Sequence, residues 1–206
     1  DGDVAAASDL AQRAFAARPS SQTVLELAAY QSAAGEEEQA RKLLRKWLAE
    51  NPGDMAVRLS LANDLLLAND TVGANAEYEA VLELDADNVT ALNNLAWTLR
   101  LEDRERALDY IRRAAAVAPE RAEVLDTLAV IEHLNGEHRR AHRNIQRALA
   151  AAPGNPTMRY HQAMIEAALG ERESAIATLQ AVLEESDAQP FPERAEAEQL
   201  LAELRG

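Results

Sequence analysis

His138 and His142 stand one helical turn apart, a spacing that lets two imidazoles reach one metal ion. Hydrolytic sites of this spacing carry a glutamate base beside the first histidine. Here Arg139 and Arg140 follow His138, and cationic neighbours repel a cation, so no metal is expected. The chain shows no Ser/His/Asp set, no glycine-rich phosphate loop and no pair of carboxylates suited to a catalytic pocket. No enzyme and no cofactor are expected. Arg139, Arg140, Arg143 and Arg147 form a basic cluster on the same segment, either a solvated face or a docking patch for an acidic partner.

The composition limits the partners further. The chain has 206 residues, a formal net charge of −14 and no cysteine. The negative charge argues against nucleic acid, whose phosphates demand a basic face. Without cysteine there is neither a disulfide nor thiolate chemistry. No apolar run approaches the roughly 20 residues of a membrane span, and no signal peptide is visible. The chain opens on Asp1, in the middle of a repeat, so a fragment with its targeting signal further upstream is expected. Charge is uneven: residues 53 to 88 hold Arg58 against eight acidic residues, a net of −7.

The elements that must carry any site follow from a repeat. Pro19, Pro52, Pro119 and Pro153 each lie 12 residues after an alanine, namely Ala7, Ala40, Ala107 and Ala141. Ala74 with Ala86, and Ala175 with Asp187, fill the same roles in two further units. Within each unit apolar residues recur at i, i+3, i+4 and i+7, which buries one face of each of two helices. Gly35, Gly136 and Gly170 mark turns between them.

A period of about 34 residues, a small residue in mid-repeat and a closing proline resemble the tetratricopeptide repeat. The resemblance covers nearly the whole chain and implies an all-α solenoid, a right-handed superhelix of antiparallel helix pairs with a C-terminal capping helix. Residues 4–19 read as a lone second helix of a truncated repeat. Full repeats span 21–54, 55–88, 89–121, 122–155 and 156–187; the third is one residue short in its turn, Leu101 to Arg104. After Pro190-Phe191-Pro192, residues 193–205 form the cap, with Leu200, Leu201 and Leu204 on one face. Four phrases resemble more narrowly the PEP-CTERM-system repeat lipoproteins: 91–97 (ALNNLAW), 124–129 (VLDTLA), 159–163 (RYHQA) and 191–197 (FPERAEA). That resemblance implies a bacterial, envelope-associated protein linked to exopolysaccharide production; the cytoplasm remains the alternative.

In this family the first helices of the repeats line a concave face. Carried over to this sequence, the groove holds Leu59, Asn63, Asn93, Trp97, Arg100, Asp126, Val130, His133, Tyr160 and Met164, with Asn94 and His161 beside them. Asn63 and Asn93 would hold a peptide backbone through their amides. Trp97 and Tyr160 offer flat area at low entropy cost. An extended peptide suits this surface, and so does a sugar chain stacked on aromatic rings. Trp97 is either a ligand contact or a wedge between helices, and Tyr160 is either a contact or a core residue. No lysine stands where chaperone-binding members clamp a terminal carboxylate. Three functions therefore remain: a protein-interaction scaffold, the non-catalytic arm of a larger enzyme such as a glycosyltransferase, or a polysaccharide-binding segment of an export machine. Leu10, Ala14 and Phe15, on the unpartnered first helix, are expected to mediate self-association.

Overall fold

A computed structural model describes residues 2–185 and 191–206, with side chains from residue 7 onward. Asp187 and Pro190, expected at the end of the fifth repeat and before the cap, lie outside the described residues. Every regular element among the described residues is a helix. The chain divides into two compact units, residues 1–91 and 92–206. The first contains α1 (Gly2–Ala17), α2 (Ser21–Ala33), α3 (Glu37–Glu50), α4 (Met55–Leu67), α5 (Thr71–Leu84) and the start of α6 (Val89–Leu99). The second contains the rest of α6, then α7 (Arg104–Val117), α8 (Ala122–Leu134), α9 (His138–Ala151), α10 (Pro156–Ala168), α11 (Arg172–Glu185) and α12 (Arg194–Arg205).

Local chemistry sets the helix ends. The side chains of Asp54, Asp70, Asn88, Asp103 and Asn155 each accept from the backbone N–H three residues on, at 2.9 to 3.2 Å. Such caps satisfy donors that the helix itself leaves unpaired. At the turns inside the pairs, Gly35, Gly136 and Gly170 adopt φ of 80°, 78° and 81°. Asn69 takes the same role at φ 60°, because a short polar side chain tolerates the left-handed region.

Packing explains the repeat. Ala40, Ala74, Ala107, Ala141 and Ala175 are fully buried, so each helix crossing has room for a methyl group and no more. Around them Leu44, Leu61, Leu92, Leu95, Ile111, Ile145 and Leu179 are also fully buried. At the end of the second unit, Ala163, Leu179, Val182, Phe191 and Ala197 form one apolar cluster. Leu200, Leu201 and Leu204 of α12 pack against it, so α12 covers the flank of the last helix pair.

Several buried and half-buried polar groups stitch helices together. In the first unit, Asp54 Oδ2 accepts from Ser21 Oγ at 2.6 Å and from the Trp47 indole N–H at 2.7 Å. Burial pushes the Asp54 carboxyl up, but these bonds and two backbone N–H groups hold it below its ordinary value. Trp47 thus has a structural task, and Phe15 meets its ring edge-on at 6.0 Å. In the second unit, Glu132 and Glu166 are buried at matching places in α8 and α10. Glu132 accepts from Asn144 on α9 at 2.7 Å, and Glu166 accepts from Thr178 on α11 at 3.2 Å.

Candidate functional site

The expected groove residues fall on both units, and the second unit gathers most of them. Side chains of α6, α8 and α10 meet there. α8 is buried along its length from Val124 to Glu132, which leaves Asp126 and Val130 only 8% and 4% exposed. His161 on α10 is 3% exposed, and its Nδ1 lies 2.8 Å from Asp126 Oδ1. Asp126, Val130 and His161 therefore form the floor of this region rather than its accessible surface. The His161 ring supports two aromatics, Trp97 at 6.0 Å and Tyr160 at 5.7 Å between centroids.

Asn93, Asn94, Trp97, Tyr160 and Met164 remain partly exposed. Asn93 donates to Asn94 Oδ1 at 3.3 Å, while its own Oδ1 is buried without a hydrogen-bond partner. The Arg100 guanidinium carbon lies over Trp97, 3.8 Å from the ring centroid, and Nη1 donates to the Trp97 carbonyl at 2.6 Å. Burial lowers the Arg100 pKa from its usual value, opposed by the Glu193 carboxylate. Tyr160 packs against the apolar cluster beneath α12. Burial raises its hydroxyl pKa, and the charges of Glu196 and Glu193 act in the same direction. Tyr160 therefore shares its area between core and surface.

In the first unit, Leu59 is partly exposed and Asn63 is exposed. Asn63 Oδ1 accepts a 2.6 Å hydrogen bond from the hydroxyl of the fully buried Tyr78. Asn63 thus serves the first unit's own packing, a task that its position on the chain did not suggest.

The histidines regroup. His138 faces His133 across the turn between α8 and α9, with ring centroids 4.9 Å apart, and Nδ1 of each is buried without a hydrogen-bond partner. Burial lowers the His133 pKa, and the potentials of His138 and His161 add to that. His142 lies beside Gln146 instead. No cluster of three or more metal-capable side chains occurs among the described residues. None of the described helices is long and apolar enough to cross a membrane.

Sequence reasoning missed the Asp126–His161 pair, the Arg100–Trp97 stack and the two buried glutamates. One signal was available: a polar residue at the fifth place of one repeat and at the sixth of the next, which puts Asp126 against His161.

The comparisons with known proteins agree with this architecture. The family model described as tetratricopeptide repeat matches residues 135–190. No curated protein matches the sequence significantly. Among solved structures, a thermophilic tetratricopeptide protein of Thermus thermophilus is 23% identical, with a TM-score of 0.68 over 90% of this chain and 99% of that one. A tetratricopeptide repeat protein from Parabacteroides merdae is 13% identical, with a TM-score of 0.75 over 100% and 93%. YrrB, a tetratricopeptide protein with an unusual peptide-binding site, is 20% identical, with a TM-score of 0.65 over 95% and 100%. These likenesses show a shared fold: an all-α tetratricopeptide solenoid. The family match marks residues 135–190 as tetratricopeptide repeat, and the chain as a whole shares the fold of such proteins. A scaffold of this type suggests protein–protein interaction.

Proposed function

We propose that the chain is a non-catalytic scaffold that holds an extended segment of a partner protein against α6 and α10 of its second unit. Asn93, Asn94, Trp97, Tyr160 and Met164 supply the contact surface. Asp126, Val130 and His161 support it from below. The observation that carries this reading is the run of rings and cation from Tyr160 through His161 and Trp97 to Arg100, each 3.8 to 6.0 Å from the next. Such a run fixes flat, adaptable contact area at little entropy cost. A stacked sugar chain needs an open aromatic face, and Arg100 covers one face of Trp97, which favours a peptide. The peptide-binding site of YrrB on a similar fold supports the same choice.

The narrower resemblance supports a role for this scaffold in a bacterial envelope pathway connected with exopolysaccharide. The rival arrangements, an arm of a larger enzyme or a polysaccharide-binding segment, use the same surface differently. Fluorescence anisotropy with labelled dodecapeptide pools and with oligosaccharides separates them. Peptides are expected to bind, and Trp97→Ala is expected to weaken them by more than about 1 kcal/mol. Binding of oligosaccharides alone would refute the proposal.

A further inference from the structure

Partly buried arginines of this protein are paired with carboxylates. Arg41, Arg58 and Arg159 have side chains 16%, 18% and 19% exposed, and each meets a glutamate: Glu38 at 3.1 Å, Glu77 at 2.6 Å and Glu185 at 2.5 Å. This is the expected rule, because a guanidinium leaves water at a cost that an adjacent carboxylate offsets. Arg100 departs from it. It is partly buried just past the end of α6, and its contacts are the face of Trp97 and the Trp97 carbonyl. No carboxylate among the described residues forms an ion pair with it. The field of Glu193 reaches it, but Glu193 Oε2 accepts from Thr157 Oγ1 at 2.9 Å.

A guanidinium has five N–H donors in a planar fork, and one of them accounts for the bond to Trp97. The stack on the indole holds that fork in one orientation, so little freedom remains to be lost when an acceptor arrives. The acceptor that matches a fork in shape and charge is a carboxylate. Tyr160 and Met164 are partly exposed on α10, whose His161 meets both Trp97 and Tyr160.

We infer that Arg100, laid on Trp97, is a recognition site for an acidic side chain, glutamate or aspartate, within the extended partner segment. This rests on the segment-binding reading above and names the chemistry that the segment must carry. It also gives Trp97 its role: a platform that orients Arg100 rather than a bare stacking surface.

The test uses the full chain and two dodecapeptide pools, acetylated and amidated so that no terminal carboxylate is present. Both pools are randomised over Ala, Leu, Ser and Tyr; one has a fixed central glutamate and the other glutamine. Wild-type protein should prefer the glutamate pool by roughly tenfold, the scale of one charge-assisted hydrogen bond. Arg100→Gln should abolish the preference without changing the far-UV circular dichroism. Arg100→Lys should keep only part of it, since an ammonium neither stacks nor forks. Equal binding of both pools by wild type overturns the inference while leaving segment binding intact. Retained preference in Arg100→Gln, lost instead in Arg139→Gln/Arg143→Gln, also overturns it and moves acid recognition to α9. Binding of neither pool overturns both readings.

Discussion

Asp126 and His161 offer the most direct check on the architecture beneath the groove. They are 35 residues apart, buried on α8 and α10, and joined at 2.8 Å. A hydrogen bond to a charged group contributes about 1.5–3 kcal/mol, and losing one partner strands the other. Asp126→Ala leaves the imidazole Nδ1 buried and unpaired, and is expected to cost about 2–3 kcal/mol. His161→Phe keeps a ring beside Trp97 and Tyr160 but strands a carboxylate that is 8% exposed. Breaking a buried pair in this way costs about 3–5 kcal/mol. In the double variant neither orphan remains, so its cost should fall short of the sum by about 1.5–3 kcal/mol. The four proteins would be compared by urea unfolding followed by far-UV circular dichroism. Costs that add to within about 0.5 kcal/mol would refute the reasoning, because two groups in contact cannot act independently.

Other expectations follow from single residues. Leu95→Ala, at a fully buried site, should cost about 2–5 kcal/mol in urea unfolding, and Trp97→Ala less, since Trp97 is partly exposed. Asn63→Ala removes the acceptor of the buried Tyr78 hydroxyl and should cost about 1–3 kcal/mol; a variant as stable as wild type would return Asn63 to a pure contact role. Burial raises the Glu132 pKa, against the Asn144 hydrogen bond and the Arg140 charge. Its stabilising contribution is therefore full below the unfolded value of about 4.3 and is lost as pH rises through the folded value. The stability of Glu132→Gln relative to wild type should accordingly improve as urea unfolding is repeated from acid to neutral pH. Leu10 on α1 is 64% exposed, and Leu10→Lys should lower any concentration-dependent self-association seen by sedimentation velocity.

The sequence made the helices legible because each is short, amphipathic and bounded by chemistry that acts within four residues. The buried alanines were legible for the same reason: a small residue at a fixed phase of the repeat has one physical explanation, a close crossing. Asn69 was harder, since it does a glycine's work with a side chain attached. The site was only partly readable. Family geometry named Trp97 and Arg100, but the stack between them depends on rotamers, which no spacing encodes. Asp126 and Val130 were expected at the surface because neighbouring columns are; the structure buries them because α8 is covered along its length. Asn63 was assigned to a ligand because the hydroxyl that claims it belongs to Tyr78, on the other helix of its pair.

The Asp126–His161 bond also bears on how such a chain is inherited. Repeats of one length invite unequal recombination, which deletes, duplicates or exchanges whole units while keeping the frame. A junction held by apolar contacts alone tolerates such a swap, because one aliphatic side chain can stand in for another. This junction does not. Its two halves lie in different repeats, and exchanging either repeat alone would leave a polar group sealed in the interior without its mate. The fourth and fifth repeats are therefore expected to travel through descent as a single cassette, and a designer shortening or lengthening this array should cut elsewhere.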